Sequence, residues 1–275
     1  METLVGGVAV VTGAASGIGR AVAAAFAAEG MRVVMADIER ESLDLAAAEI
    51  AATGAEVLAV PTDVRTCEAI QALADATIER FGTVDVVHNN AGVVAAGLID
   101  ELSMETWRWV LDVDLWSVIY GVSVFAPILK AKGRGHIINT ASTAGLQSAK
   151  GIAPYNVAKF GVVAITETLR MELRGTGVSA SVLCPGAINT RIADAERNRP
   201  TDVPASVGKV AEQFLVGSAE LLKTRGLDPA HVASLVVEGI RADRFWIVTH
   251  PAWIDVLAER VEGMRTGELR QGFGG

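Results

Sequence analysis

Three side chains in the middle of this 275-residue sequence could together move a proton on and off an oxygen. Tyr155 and Lys159 are four residues apart, so on a helix they share one face. A phenol ordinarily keeps its proton up to a pKa of about 10, but an ammonium fixed beside it stabilises the phenolate and makes it usable as an acid or base nearer neutrality. Ser142, thirteen residues upstream, ends a β-rich run and could present its hydroxyl to the same substrate oxygen. Such a trio suits proton transfer to or from an alcohol or carbonyl. Alone, a Tyr-x-x-x-Lys pair is more often a surface helix contact. A glycine-rich turn far upstream changes that reading, because it supplies a place for a hydride carrier.

That turn is Val8-Ala-Val-Val-Thr-Gly-Ala-Ala-Ser-Gly-Ile-Gly19, which reads as a strand, a turn and a helix start. Gly13 permits the tight turn, while Gly17 and Gly19 let backbone approach a pyrophosphate and let helix pack close to strand. The helix N-terminus offers unpaired N–H groups to phosphates, so Gly13, Ser16, Gly17, Ile18 and Gly19 are candidate cofactor contacts. Asp37 ends the second strand, eighteen residues after Gly19. A carboxylate there can accept from adenosine ribose hydroxyls and would repel a 2′-phosphate; the competing role is a helix cap before Glu39. Ser16 and Ile38 are not basic, which favours NAD over NADP, although Arg20 or Arg40 could swing in. After the third strand, Asp63 could contact the adenine amine while Val64 covers the ring, or a polar side chain there could cap the helix near residue 66. Asn89-Asn90-Ala91-Gly92 ends the fourth strand with small residues and amides, making Asn90, Ala91 and Gly92 further cofactor candidates; a plain turn is the alternative.

Positioning these groups requires alternating elements. Val8–Val11, Arg32–Ala36, Glu56–Val60, Val84–His88, 135–141, Val178–Leu183 and Phe245–Thr249 read as strands, nearly continuous in apolar residues, as strands covered on both faces must be. Helices are expected over 17–29, 40–52, 66–81, 103–131 and 153–174. The alternation predicts an α/β fold: a single Rossmann-type, doubly wound domain over 1–275 with a seven-stranded parallel sheet flanked by helices. The excursion at about 187–226 carries Val207, Val210, Phe214 and Leu215, which fit a substrate-lid helix or a surface helix on the sheet edge. The Gly-rich tail beyond Gly263 is expected to be loosely held unless a partner subunit covers it.

The totals exclude other classes. A formal net charge of −8 without a basic stripe disfavours nucleic acid. The two cysteines, Cys67 and Cys184, imply no disulfide framework, suit a reducing cytosol and read as small buried hydrophobes. No signal-peptide pattern opens the chain, and no apolar run of about 18 residues escapes Gly or charge, so the expectation is a cytoplasmic protein with no membrane partner. His88, His136, His231 and His250 lack ligand spacing and read as structural or exposed; no metal is expected. Trp107, Trp109 and Trp116 spread apolar surface around the 103–131 helix, so one face can pack on the sheet and the rest meet another subunit.

With these residues in view, the chain from about 5 to 250 resembles the short-chain dehydrogenase/reductase family: Thr-Gly-x-x-x-Gly-x-Gly at 12–19, Asn-Asn-Ala-Gly at 89–92, Ser142, Tyr-x-x-x-Lys at 155–159 and Pro-Gly at 185–186 occur in the family's order. The glycine spacing differs from that of the family's extended branch. The resemblance implies Tyr155 as general acid/base, Lys159 lowering its pKa and holding the nicotinamide ribose, and Ser142 bonding the substrate oxygen. It also implies that Pro185, Gly186, Ile188 and Thr190 orient the carboxamide, and that the protein is a homo-oligomer, a tetramer or dimer. One position departs. Where such enzymes usually have Asn in the long central helix, holding a water that links the lysine to solvent, this chain has Asp114, which can still accept from that water and would stabilise the Lys159 ammonium. The expectation is an NAD-dependent oxidoreductase acting on a secondary alcohol or ketone. Val93, Val94, Ala95, Leu98 and Leu146 suggest a hydrophobic substrate, although core packing explains apolar residues equally well. Alternatives are an NADP-dependent carbonyl or ketoacyl reductase, or a dinucleotide-binding regulatory protein with an impaired site.

Overall fold

A computed structural model describes residues 3–206 and 208–269. Strands β1 (Val8–Thr12), β2 (Arg32–Asp37), β3 (Val57–Pro61), β4 (Val86–Asn89), β5 (Gly135–Thr140), β6 (Val178–Cys184) and β7 (Trp246–Val248) form one sheet in the order β3-β2-β1-β4-β5-β6-β7. Every pairing is parallel, from Val8 opposite Arg32 to Cys184 opposite Val248. The chain steps outward from β1 in one direction, then returns and steps outward from β4 in the other. The ends of β1 and β4 therefore diverge, leaving a crevice at the switch point.

Helices cover both faces, as parallel strands require. Alternation along β1 sends Val8 and Val10 to one side and Ala9 and Val11 to the other. The first side packs Val8 and Val10 in a core with Ile70 and Leu73 of α3 (Cys67–Phe81) and with Phe125 and Leu129 of α5 (Ser117–Lys132). The second packs Val22 and Phe26 of α1 (Gly17–Ala28), Leu43 of α2 (Arg40–Ala51), and Val232 and Val236 of α8 (Pro229–Arg241). The remaining helices are α4 (Met104–Leu111), α6 (Ala153–Glu172), α7 (Lys209–Arg225) and α9 (Trp253–Thr266).

Several expectations change. The helix expected over 103–131 is not uniform: a π-helical turn, Asp112–Trp116, separates α4 from α5. A π turn holds one more residue than an α turn and redirects the side chains inside it. Within the long segment Met104–Lys132 an 18-residue window has a mean hydropathy of 1.4 and would suffice by length and composition to cross a bilayer, but half of that window is buried here, with Phe125 and Leu129 in the core. Helices α8 and α9 add to the sequence reading, and α9 extends the ordered chain past Gly263 to Thr266. The rest of the expected loose tail, 270–275, lies outside the described residues, as does Val207. Cys184 is buried, its thiol pushed up to about 12 by desolvation, whereas Cys67 is only partly covered at the start of α3.

Close approaches set the helices that carry chemistry. Asn89 donates to Asn139 Oδ1 at 2.8 Å, and Asn139 Nδ2 donates to Thr166 of α6 at 3.0 Å, so a buried polar chain joins β4, β5 and α6. Gly121 lets α5 approach that chain: a Cβ there would overlap Asn89 Oδ1. Gly161 similarly admits Leu115 of the π turn against α6, where a Cβ would lie 2.8 Å from its Cδ1. Replacing Gly121 by Ala must displace Asn89 or the helix, and should cost about 1–3 kcal/mol as overpacking. Gly217→Ala in α7, where a Cβ would meet nothing within 4 Å, should be neutral or slightly stabilising. Urea denaturation midpoints of the two variants check this; equal midpoints would show that the approach at Gly121 is not tight.

Candidate active site

The crevice is a cleft with about 1250 Å³ of space, open solvent at its mouth included, running from Asp37 at one end to Ser142, Tyr155 and Lys159 at the other. Local structure explains each position. The first turn of α1 has Ser16 as an extended N-cap without a side-chain cap bond, and no acidic residue in the turn. Its N–H groups and positive dipole end therefore remain directed at the cleft, where Ser16, Gly17 and Ile18 line the wall. Gly13 and Gly17 have φ of 65° and 54°, a region that favours glycine. Gly19 does not line the cleft. It lies beneath the turn, where a Cβ would overlap the Gly13 carbonyl oxygen.

Asp37 stands at the end of β2. Its Oδ2 accepts from Ala15 N at 2.9 Å and its Oδ1 from Glu39 N at 3.0 Å, so it both braces the glycine turn and faces the cleft. Burial raises its pKa, and the two N–H groups pull against that rise. The cap of α2 is Glu39 rather than Asp37. Asp63 likewise does not cap α3; Thr66 does, accepting from Ala69 N at 3.2 Å. Asp63 instead binds Arg65 through the guanidinium at 2.7 Å, a hydrogen bond that holds its carboxyl below the ordinary value. Val64 lines the cleft beside it.

At the switch point, Thr12 Oγ1 accepts from Asn90 N at 2.9 Å and Ala91 N at 3.1 Å, while Asn90 Nδ2 donates to the Thr12 carbonyl. Thr140 Oγ1 donates to Asn90 Oδ1 at 3.2 Å, so it must accept from His88 Nε2 at 2.8 Å, which fixes the His88 tautomer. His88 and His136 are buried and neutral, desolvation holding each at about 3. Pro185, Gly186, Ile188 and Thr190 all line the cleft. Gly186 N donates to Thr249 at 3.0 Å, and His250 packs where a Gly186 Cβ would sit.

At the other end, Ser142 opens a 3-10 turn, accepting from Ala144 N at 3.1 Å, and hydrogen-bonds with Tyr155. Tyr155 and Lys159 project from the first turns of α6, with the ammonium 5.3 Å from the phenol ring centroid. Lys159 Nζ donates to the Thr140 carbonyl at 3.1 Å and lies 3.0 Å from Asp114 Oδ2. That ion pair is nearly dry, with the side chains 3% and 0% exposed. The π turn places Asp114 there, and its Oδ1 accepts from Val93 N at 2.8 Å. Asp114 thus meets Lys159 directly, rather than through the water that the family resemblance implies.

The electrostatics follow. Burial works against the Lys159 ammonium, but Asp114 and the Tyr155 phenolate together outweigh it and hold the amine above its ordinary value. Burial pushes the Asp114 carboxyl up against the pull of Lys159 and Val93 N–H, and both neighbours are donors, which fits the ionised carboxylate. Tyr155 is held above its ordinary value: desolvation raises it, Lys159 and Ser142 oppose, and Asp114 adds to the rise. The lysine's charge is divided between the carboxylate and the phenol. Glu39, Arg65, Trp109, Val113, Arg191, Ile192, Ala195, Arg197, Asn198 and Leu222 also line the cleft; no motif in the sequence marks them, and only spatial proximity identifies them.

This fold and site match a known group of proteins. The family model described as short chain dehydrogenase matches residues 7–201. The chain belongs to the short chain dehydrogenase family. A 1-deoxy-11-beta-hydroxypentalenate dehydrogenase of Streptomyces exfoliatus is 38% identical over 245 residues, covering 88% of this chain and 82% of that protein. A CLA biosynthesis dehydrogenase/reductase of Lactiplantibacillus plantarum is 32% identical, covering 93% and 92%. The structure of a short chain dehydrogenase/reductase from Burkholderia phymatum, in complex with NAD, superposes with a TM-score of 0.97 at 40% identity and covers 100% of both chains.

In this member of the family the coupling of Asp114 to Tyr155 is directly measurable, because the chain has only two tyrosines. Asp114 raises the Tyr155 pKa, so removing its charge should move the phenol titration to lower pH. Ultraviolet titration of the parent and Asp114→Asn, with Tyr155→Phe to assign the step, checks this; superimposable titrations would leave the two groups uncoupled.

Proposed function

We propose that this chain transfers hydride between NAD and a secondary alcohol or ketone of apolar framework, with Tyr155 as general acid/base. The carrying observation is the single cleft that joins the glycine turn and Asp37 to the Ser142–Tyr155–Lys159 cluster. The residues fit a dinucleotide: uncapped N–H groups at α1 suit a pyrophosphate, and the Asp37 carboxylate suits ribose hydroxyls. The B. phymatum relative is a complex with NAD, in line with this reading. Arg20 and Arg40 give no support to NADP, since Arg20 pairs with Glu49 and Arg40 with Asp44.

Bound NAD supplies the hydride acceptor. The chain supplies the rest. Tyr155 as phenolate takes the substrate hydroxyl proton in oxidation and returns it in reduction. Ser142 donates to the substrate oxygen as charge develops. Lys159, whose charge Asp114 favours, stabilises the phenolate and would hold the nicotinamide ribose. Pro185, Gly186, Ile188 and Thr190 would hold the carboxamide and Asp63 and Val64 the adenine, with Asn90, Ala91 and Gly92 along the rest of the dinucleotide. Since Tyr155 sits above its ordinary pKa in the free chain, a second cation in the cleft is needed to bring it toward neutrality. Every tenfold gain in acidity requires about 1.4 kcal/mol of preferential stabilisation of the phenolate.

Val93, Trp109, Val113, Ile192, Ala195 and Leu222 give the cleft an apolar wall, which suits a hydrophobic substrate. Ile192, Ala195 and Leu222 belong to the excursion after β6, and their place in the cleft wall supports reading that excursion as a substrate lid of a single domain. Trp116, 45% exposed, and Val157, 50% exposed, put apolar surface on the π turn and α6, where a second copy would pack in a cytoplasmic homo-oligomer.

A panel of apolar secondary alcohols with NAD, followed by the absorbance of the reduced cofactor, tests the activity. Tyr155→Phe should lower turnover about 10²–10⁴-fold while NADH titration still saturates. Undiminished turnover would remove the phenol from the mechanism.

A further inference from the structure

Among the described residues, three arginines line the cleft: Arg65, Arg191 and Arg197. Arg65 is bound to Asp63. The other two come from the segment after β6 and share the Asp37 end with Glu39. Glu39 Oε1 accepts from Arg197 Nε at 2.9 Å and from Asn198 Nδ2 at 3.0 Å, with a terminal nitrogen of Arg197 at 2.7 Å. Its Oε2 lies 4.0 Å from Arg191. The remaining terminal nitrogen of Arg197 donates to the carbonyls of Arg191 at 3.1 Å and Asp194 at 2.7 Å. Arg191 donates to Asp194 Oδ2 at 2.9 Å. Burial disfavours the Glu39 charge, but Asn198 and Arg197 outweigh it and hold the carboxyl below its ordinary value. Glu39 and Arg197 are each about four-fifths buried, with 20% and 22% of the side chain exposed.

A 2′-phosphate is a strong acceptor with more than one negative charge, and a guanidinium fork is its natural partner. Asp37 can reject it only by repulsion. Glu39 removes its donors. We propose that Glu39 is a specificity-determining residue that excludes a 2′-phosphorylated dinucleotide by occupying Arg197, and more weakly Arg191, at the adenosine end. The same contact ties the segment after β6 across that end of the cleft. This inference rests on the dinucleotide reading above and concerns which dinucleotide is accepted, not whether one is.

The test is fluorescence titration of NADH and NADPH against the full chain, its Glu39→Gln and Arg197→Gln variants, and the double variant. The parent should prefer NADH. Glu39→Gln should bind NADPH about tenfold more tightly than the parent, the worth of one charge-assisted hydrogen bond at a partly exposed site. The double variant should lose that gain. Glu39→Ala, which deletes the acceptor, repeats the measurement, and the NADPH-to-NADH ratio corrects for any general loss of folded protein. An unchanged ratio in both Glu39 variants overturns the proposal, as does a gain that survives in the double variant, because loss of repulsion would then suffice. Either outcome leaves the dinucleotide reading standing if the parent binds NADH. A parent that binds neither dinucleotide overturns both, whereas a parent that prefers NADPH overturns the proposal and the choice of NAD but leaves the dinucleotide reading standing.

Discussion

A lysine ammonium in the dry interior is the constraint around which this site is built. Lys159 is 3% exposed, and Asp114 at 3.0 Å and the Thr140 carbonyl, which accepts from its Nζ, both favour its charge against burial. Removing one partner of such a pair typically costs about 3–5 kcal/mol, because the other charge is left uncompensated. The surroundings hold both charges in place with groups that cannot easily move. Asp114 is aimed by a π turn and pinned by Val93 N, and Thr140 is the last residue of a central strand. The pair fixes α6 against the ends of β4 and β5, and α6 carries Tyr155.

The strand order then decides what stands opposite. Because the sheet reverses between β1 and β4, the glycine turn after β1 and the Asn90–Gly92 segment after β4 open onto one crevice. Thr12 ties the two together by accepting from Asn90 N and Ala91 N. The tight packing of Gly19 on Gly13, and of Gly121 on Asn89, keeps the crevice walls at fixed separation. Electrostatic support of a developing charge depends on such fixed geometry, since donors that must reorganise lose most of their effect.

Much of this is legible in the residues. All seven strands are visible because parallel strands covered on both faces are short apolar runs, and Tyr155, Lys159, Ser142, Asp37 and the glycine turn announce themselves by spacing. What escapes has physical reasons. The π turn at Asp112–Trp116 adds one residue to a helix turn, and an apolar periodicity cannot register a single insertion in a segment apolar on most sides. The direct Asp114–Lys159 contact follows from that turn. The meeting of Glu39 with Arg197 spans 158 residues, and neither residue differs in its local sequence from an ordinary solvated charge. The cap of α3 is ambiguous in sequence because Asp63 and Thr66 are both competent caps, and in the fold Arg65 takes Asp63 out of contention.

The two ends of the cleft therefore use ion pairs of different character. Asp114–Lys159 is excluded from water, so ionic strength barely screens it and neither partner can leave without a large penalty. Glu39–Arg197 keeps about one fifth of each side chain in solvent, and Arg191 beyond it is 53% exposed. The Arg191 contact, being exposed, contributes little to stability, whereas Glu39 and Arg197 are also held by hydrogen bonds. The proposed proton-transfer centre at Tyr155 would need an unvarying field, and it stands beside the dry pair. At the proposed dinucleotide end, the segment after β6 meets Glu39 through a pair that water still reaches.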